Sequence, residues 1–266
     1  MTLTPNLAYN ITEDWSVSAG FRLLYFSFDQ TSYQYAYGPI QGHYHLKGDN
    51  NFGDWGWQVS TRYRITESVS VGAMYKSYID TEVRGHAHMR SGIAQIDSMA
   101  SGTAGADIRL PQSVTVGANW DVTETVHLGT ALTWTEWSSM PSINFKLPTG
   151  SHPVRLRWDD AFRIAFGGAW DFHENFSLMG SYVYDMDPCC TKQDSGSTML
   201  PPGDRHIAAF GVDWHYGPVS VTLGYALVFM CSESVDFTNP YSGRLQKFGT
   251  ENGLSQSVGL SITYMF

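Results

Sequence analysis

Residues 254–266 read LSQSVGLSITYMF, a stretch in which large apolar and small polar side chains alternate. The even positions from 258 onward are Val258, Leu260, Ile262, Tyr264 and Phe266, and the odd positions are Ser255, Ser257, Gly259, Ser261 and Thr263. An extended strand is the regular structure in which successive side chains point to opposite faces. The stretch therefore predicts a β-strand with one apolar face and one face of small polar residues.

The same alternation recurs along the whole chain. It predicts eleven strands, near residues 3–11, 15–27, 54–65, 69–80, 107–121, 126–137, 157–171, 176–187, 204–215, 219–230 and 254–266. Very short connections, at 12–14, 66–68, 123–125, 173–175 and 216–218, alternate with long ones, at 28–53, 81–106, 138–156, 188–203 and 231–253. The pattern predicts a series of hairpins whose connections are tight at one end of the sheet and long at the other.

Composition limits the class of protein. The chain has 266 residues, a charged fraction of 15% and a formal net charge of -9. Average soluble domains carry roughly 25% charged residues. No apolar run approaches the roughly 20 residues of a membrane helix, which excludes a helical membrane protein. The negative charge and the absence of a Lys/Arg cluster exclude nucleic acid as a partner.

A soluble β-sandwich would also alternate, but it would expose a charged face. Here the polar face is mostly Ser, Gly, Ala and Thr, and aromatic residues of the apolar face lie near strand ends, at Trp15, Trp57, Tyr63, Trp120, Trp134, Phe176, Trp214 and Tyr264. Such aromatic belts lie at the two surfaces of a bilayer. The sequence thus predicts an all-β fold, a transmembrane antiparallel up-and-down β-barrel, whose sheet must close because backbone groups in lipid have to be paired.

The strand number bears on domain organisation. Single-chain bacterial barrels have an even number of strands with both termini on the inner side, whereas eleven is odd. Residues 1–266 are therefore expected to be the C-terminal portion of a single β-barrel domain, with an odd number of strands preceding it. The start at Met1-Thr-Leu-Thr-Pro5 also lacks the basic and apolar regions of a signal peptide.

Three blocks in the second half of the chain resemble the FadL-type family of outer-membrane transporters for long-chain fatty acids and other hydrophobic compounds. They are Trp158-Asp-Asp-Ala-Phe-Arg-Ile-Ala-Phe-Gly167, Asn175-Phe-Ser-Leu-Met-Gly-Ser-Tyr-Val-Tyr-Asp-Met-Asp-Pro188 and Leu200-Pro-Pro-Gly-Asp-Arg-His-Ile-Ala-Ala-Phe-Gly211. The resemblance implies a monomeric barrel of fourteen strands, of which about eleven are present here. A signal peptide, an N-terminal hatch and the first strands would be absent from this chain.

The resemblance also implies function. It predicts a protein of the bacterial outer membrane, surrounded by its lipids, that passes hydrophobic ligands such as fatty acids across the membrane without an energy source. A general diffusion porin is the alternative, and it would need facing acidic and basic rows in a water-filled constriction. An enzyme is not expected, because no nucleophile motif accompanies the inward His127. No catalytic residue, metal ligand or cofactor is predicted.

Several charged side chains should face the barrel interior. By alternation these are Arg22, Gln58, Arg62, Arg64, Lys76, Asp80, Arg109, Asn119, Asp159, Arg163, Asp185, Asp187, Arg205 and Asp213, the polar Gln58 and Asn119 included. They can pair across strands, or a cation among them can receive a fatty-acid carboxylate through charge-assisted hydrogen bonds. Arg163 and Arg205 are the predicted ligand-binding residues, followed by Lys76.

Apolar side chains on the long connections form a second candidate surface. They are Tyr33, Tyr35, Tyr37, Tyr44, Phe52, Met89, Ile93, Met99, Met140 and Ile143. Exposed apolar surface marks a binding site, whereas loops that pack on one another would bury the same residues. The sequence leaves both interpretations open.

Overall fold

The computed structural model describes residues 1–37, 40–156, 158–189, 203–238 and 245–264, with the backbone alone for 32–37, 40–41, 152–154, 233–238 and 245–250. The elements are β1 (Thr2–Leu3), β2 (Asn6–Asn10), β3 (Trp15–Leu24), β4 (Ser27–Tyr37), β5 (Ile40–Asp49), β6 (Asp54–Arg64), β7 (Val69–Lys76), β8 (Ile79–Arg90), α1 (Ala94–Ala100), β9 (Gly102–Leu110), β10 (Ser113–Asp121), β11 (Val126–Thr135), a 3-10 helix (Trp137–Ser139), β12 (Ser142–Leu147), β13 (Gly150–Arg155), β14 (Ala161–His173), β15 (Phe176–Asp185), β16 (Arg205–Tyr216), β17 (Val219–Met230), β18 (Glu233–Thr238), β19 (Leu245–Thr250) and β20 (Gly253–Tyr264). Over these described ranges, no helix has the length and apolar character needed to cross a membrane.

The larger sheet, here called the wall, has the strand order β1-β3-β6-β7-β10-β11-β14-β15-β16-β17-β20, with β2 also paired to β3. β1 and β2 occupy one strand position that is interrupted at Thr4 and Pro5, where proline cannot donate a ladder hydrogen bond. The described residues therefore form eleven wall positions joined antiparallel, which confirms the strand number predicted from alternation. Within those residues the sheet is open, with β1 and β2 at one edge and β20 at the other.

The two faces of the wall differ in chemistry as predicted. Large apolar side chains project from one face and are widely exposed, such as Phe166 at 56%, Phe210 at 60% and Ile262 at 70%. The opposite face carries Ser, Thr, Gly, Ala and scattered charges. An exposed apolar face of this extent is unfavourable in water, and it is the face that a transmembrane strand turns to lipid.

A second sheet of six strands, here called the cap sheet, has the order β13-β12-β9-β8-β5-β4. The long connections predicted at 28–53, 81–106 and 138–156 thus contain strands that pair with one another, which the alternation analysis did not predict. The cap order follows the wall order β14-β11-β10-β7-β6-β3, since each cap strand adjoins one of these wall strands in sequence. Three predicted strands, 15–27, 69–80 and 107–121, run across this junction and divide at Tyr25-Phe26, Ser77-Tyr78 and Pro111-Gln112.

The cap sheet buries its apolar face and exposes its charged one. In β8, Ile79, Val83 and Ala87 are exposed by 1% or less, while the alternate residues Asp80, Glu82, Arg84 and His86 are exposed. One core cluster consists of Tyr44, Ala87, Met89, Ala100 and Ala104, packed against Leu46 and Leu147. This is the pattern of a sheet that faces water on one side.

Asn50 fixes the cap sheet to the wall. Its side-chain amide donates to the Leu24 carbonyl at 2.9 Å and to Asp54 Oδ2 at 2.8 Å, and its Oδ1 accepts from the Phe26 N–H at 3.0 Å. Asn50 is 6% exposed, and its bond to the Leu24 carbonyl is buried and therefore shielded from water. The turn continues through Asn51 and Phe52 with φ of 50° and 56°, left-handed values that only a few non-glycine residues adopt.

Candidate functional site

Arg163 and Arg205 lie on the interior face of the wall, near the ends of β14 and β16 that lead to the long connections. β15 runs between these strands, and Asp185 is the register partner of both arginines. Arg205 is half-buried and Arg163 is exposed. Two strand spacings separate the arginines, about 10 Å of sheet, so a single anionic group can be approached from both sides.

Neither arginine is neutralised by its neighbour. Among the described residues, no carboxylate oxygen lies within 4.0 Å of the Arg163 or Arg205 guanidinium. Other predicted inward cations behave differently, since Arg64 pairs with Asp14 at 3.5 Å and Arg109 binds Asp80 at 2.6 and 3.1 Å. A neighbouring carboxylate thus neutralises the charge of Arg64 and of Arg109, but not the charges of the two arginines beside Asp185.

Lys76 ends β7, on the interior face, where its register partners are Gln58 and Ser113. It is half-buried and has no carboxylate within 4.0 Å among the residues described. Three strand spacings separate β7 from β14, about 14 Å of sheet. The structure therefore brings Arg163 and Arg205 together around Asp185 and leaves Lys76 apart from them.

A small cavity of about 130 Å³ adjoins Arg205. Trp137 and Trp158 form one side of it, with ring centroids 5.3 Å apart in an edge-to-face arrangement. Trp158 is only 4% exposed and packs in a cluster with Met140, Leu156 and Cys189. Asp185 and Asp187 also line the cavity. Its volume is below the range of small-molecule sites, about 300 to 1,000 Å³, so it can receive only the end of a long ligand. An apolar surface beside a guanidinium with no carboxylate within 4.0 Å suits the anionic end of a ligand with a hydrophobic body.

The sequence did not point to the two tryptophans as site residues. Trp137 follows β11 in the 3-10 helix, and Trp158 precedes β14, so both lie on connections adjoining wall strands. Both fall inside predicted strands, 126–137 and 157–171, but lie outside the strands β11 and β14 that the structure has. Only their shared position beyond the ends of neighbouring antiparallel strands could have indicated that they meet.

Hydrogen bonds to Asp187 and Asp204 close the connection beside the cavity. Asp187 accepts from the backbone N–H of Cys189 at 2.9 Å and of Gly203 at 2.7 Å. Asp204 accepts from the Tyr184 hydroxyl and, at 2.8 Å, from the Asp187 N–H. Because these two carboxylates already receive donors, Asp185 is the acidic group left to oppose the arginines.

Between the two ends of the wall, the interior face carries small uncharged residues. One row of register partners runs across β7, β10, β11 and β14 and consists of Gly72, Gly117, Ala131 and Ala165. A second row runs from β11 to β20, through Gly129, Gly167, Ser181, Ala209, Ala226 and Ser257. These two rows are here called the middle level. A diffusion porin would need facing acidic and basic rows at its constriction. Over the described strands, this middle level offers no such rows.

His127 lies at the other end of the wall, near the short connections. Its Nδ1 is 2.6 Å from Asp121 Oδ1 and its Nε2 is 3.3 Å from Asp171 Oδ2. The Ser177 hydroxyl donates to Asp171 Oδ1 at 2.5 Å and not to the imidazole. Since both ring nitrogens face carboxylates, the arrangement is a bridge between strands and not a nucleophile with its base.

The apolar residues predicted on the long connections divide into two groups. Tyr44, Met89 and Met140 are buried at 4% exposure each, whereas Phe52 and Met99 are exposed. The side chains of Tyr33, Tyr35 and Tyr37 lie outside the described residues. Packing of the connections on one another therefore explains the buried group.

Charge pairs hold the outer face of the cap sheet. Lys146 of β12 donates to Glu82 at 3.1 Å and to Asp107 at 2.7 Å, and Arg84 donates to Glu82 at 2.7 Å. The hydrogen bond from Arg84, followed by that from Lys146, lowers the pKa of Glu82 to about 2. These pairs join β8, β9 and β12 on the side opposite the core.

Comparison with known proteins agrees with this architecture. The protein is 22% identical over 306 aligned positions, covering 100% of this chain and 66% of the relative, to the long-chain fatty acid transport protein of Escherichia coli O6:H1. It resembles the crystal structure of a Pseudomonas aeruginosa FadL homologue with a TM-score of 0.83 at 20% identity, over 99% of this chain and 67% of that one. For the toluene transporter TodX of Pseudomonas putida, the TM-score is 0.66 at 16% identity, over 99% and 68%.

The chain spans 37% to 66% of the lengths of the curated relatives that it matches. The solved structures show that the wall is part of a transmembrane β-barrel, as predicted from alternation and composition. The sequence also matches, over residues 1–266, the family described as outer membrane protein transport protein (OMPP1/FadL/TodX). This outer-membrane chain therefore belongs to the OMPP1/FadL/TodX family.

Proposed function

We propose that the protein carries hydrophobic compounds, with long-chain fatty acids as the principal class, passively across the bacterial outer membrane. The observation that carries the proposal is the pairing of an apolar cavity wall, Trp137 and Trp158, with the half-buried Arg205. A fatty acid has both of the groups that this arrangement would bind, an apolar chain and a carboxylate.

The two arginines would act on the carboxylate. A guanidinium presents paired donors that match the two carboxylate oxygens, and no protein carboxylate within 4.0 Å competes for the Arg205 donors among the described residues. Asp185, opposite both arginines, would repel the bound anion and so keep its affinity low enough for release.

We also propose that the functional protein is a monomeric barrel completed by strands outside residues 1–266. The two open edges, β1 with β2 and β20, support this. Unpaired strand edges are costly in lipid. The middle level of small uncharged residues supports a hydrophobic-compound channel over a general diffusion porin, the alternative function.

Uptake by the full-length protein would test the function. Cells that lack their own fatty-acid channel should import oleate when they produce the protein, and liposomes containing it should not swell faster in small sugars. Sugar-dependent swelling without oleate import would establish the porin instead.

A further inference from the structure

Four of the nine histidines of the chain lie together on the exposed face of the cap sheet. The segments His43-Tyr-His-Leu-Lys47 and His86-Ala-His-Met-Arg90 run antiparallel in β5 and β8, so that His45 faces His88 and Lys47 faces His86. The residues between them turn to the buried face. The exposed group, here called the basic patch, consists of His43, His45, Lys47, Arg84, His86, His88 and Arg90.

The basic patch borders a cavity of about 450 Å³. Thr31, His43, His45, His88 and Arg90 contribute to its lining. This volume lies in the range of small-molecule sites, about 300 to 1,000 Å³. The cavity therefore combines hydroxyl, imidazole and guanidinium groups, all of which can donate hydrogen bonds to an anion.

The acidic groups near the basic patch already have partners. Asp29 lies 2.7 Å from His45 Nε2 and 3.5 Å from Lys47, and its pKa is lowered mainly by the hydrogen bond from His45. Glu82 and Asp107 bind Arg84 and Lys146, and Asp49 accepts from the Asn51 N–H. Within the described part of the chain, His86, His88 and Arg90 have no carboxylate within 4.0 Å.

One cation of the basic patch has no carboxylate partner among the described residues. Lys47 and Arg84 lie against Asp29 and Glu82, while the Asp107 carboxylate is matched by Lys146. Arg90 has no carboxylate within 4.0 Å in this part of the chain, and it lines the cavity together with the imidazoles of His43, His45 and His88. The positive charge that is free to attract an anion therefore lies at the cavity.

A transition-metal ion is the other ligand that clustered histidines can bind. No group of three or more His, Cys, Asp or Glu side chains in the described ranges is arranged to hold a metal ion. Arg90 stands directly opposite His43 and Lys47 opposite His86, and these fixed positive charges would oppose a cation. The observations therefore favour an anion.

We propose that the basic patch binds a soluble, polyvalent anion of the phosphate class, such as a phosphorylated sugar. Phosphate carries several acceptor oxygens, and arginine binds it through paired donors. A lipid headgroup would offer the same chemistry. However, His86 and Arg90 lie ten and fourteen residues beyond Lys76, the end of a wall strand, or about 30 to 45 Å of extended chain, which favours a soluble ligand.

Calorimetric titration with inorganic tripolyphosphate tests the proposal, using the full-length protein in nanodiscs of zwitterionic lipid at constant ionic strength. The variant R90Q should weaken binding roughly tenfold, because a charge-assisted pair is lost, and H45Q/H88Q should also weaken it, because two imidazole groups of the cavity lining are lost. R155Q, which changes an exposed arginine on β13 of the same sheet, is the matched control and should bind as the wild type does.

Four results would overturn the proposal. The first is an absence of saturable binding, and the second is an equal loss of affinity in R90Q and R155Q. The third is stoichiometric binding of Zn²⁺ without binding of tripolyphosphate. The fourth is protection of the basic patch from hydrogen exchange only in nanodiscs that contain phosphatidic acid, which would assign the site to a lipid headgroup. Backbone circular dichroism confirms that each variant is folded.

Discussion

Replacement of Arg205 by glutamine should reveal whether the cavity beside Trp137 and Trp158 receives a carboxylate. Arg205 is half-buried and has no carboxylate within 4.0 Å in the described residues. A hydrogen bond to a charged group contributes about 1.5 to 3 kcal/mol, and about 1.4 kcal/mol corresponds to a tenfold change in affinity. We therefore expect R205Q to weaken oleate binding by roughly ten- to a hundredfold.

The assay compares two ligands on one protein. Oleate and oleyl alcohol share the apolar chain, so R205Q should weaken the binding of oleate and leave that of oleyl alcohol within about twofold. R64Q is the matched control, because Arg64 is an interior cation at the other end of the wall that already pairs with Asp14. An equal loss for both ligands, or an equal loss in R64Q, would refute the carboxylate site, since either result would point to altered packing.

Three further changes test other parts of the structure. Asp185→Asn should tighten oleate binding roughly three- to tenfold, because a negative charge opposite both arginines is removed; unchanged or weaker binding in a titration would contradict this role. The Glu82 pKa of about 2 lies below the ordinary value of 4.5, so the stabilisation by the Glu82–Lys146 pair, which joins β8 to β12 across β9, is complete above about pH 4.5 and is lost as the pH falls towards 2; hydrogen exchange in β12 should rise over that window in the wild type but not in E82Q. Phe166→Arg places a charge on the lipid face in the middle of β14 and should cost about 2 to 4 kcal/mol, whereas Ala165→Arg on the interior face should cost less; urea unfolding in lipid vesicles compares the two, and equal losses would reverse the assigned faces.

The wall could be predicted from the sequence because each wall strand contacts two different solvents. Lipid on one side and the barrel interior on the other require apolar and small polar side chains to alternate along nearly the whole strand. The strand β17, for example, was predicted with both ends correct, at Val219 and Met230. The interruption at Thr4 and Pro5 was not predicted, since a strand at the edge of the sheet tolerates proline without a change in its alternation.

The cap sheet was missed although β8 alternates as strictly as any wall strand. Its sequence, IDTEVRGHAHMR, places charged residues between apolar or small ones. The partner face of the wall strands consists of small polar residues, as in a barrel interior, whereas that of β8 is charged, and residues 81–106 were predicted as a long connection. A charged partner face is the pattern of a sheet in water.

The candidate site was predicted in part. Alternation was sufficient to place Arg163 and Arg205 on the interior face, because their position depends only on counting residues along a strand. Trp137 and Trp158 belong to connections that meet through tertiary packing, which a period along one segment does not encode. The grouping of the arginines around Asp185 likewise required the register of three strands.

The junctions between wall and cap mark where the dielectric environment of the chain changes. On the wall side, at Tyr75, the outward side chains are apolar and meet hydrocarbon; on the cap side, at Asp80, Glu82 and Arg84, they are ionic and meet water. The junction is therefore close to both media, and small vertical shifts of the protein in the bilayer would move the exposed side chain of Tyr78 between them, while Ser77 is buried. The depth at which the protein sits is consequently set by residues of the chain itself, and bilayers of different thickness should change the tilt of the wall strands more readily than they change the position of these junctions.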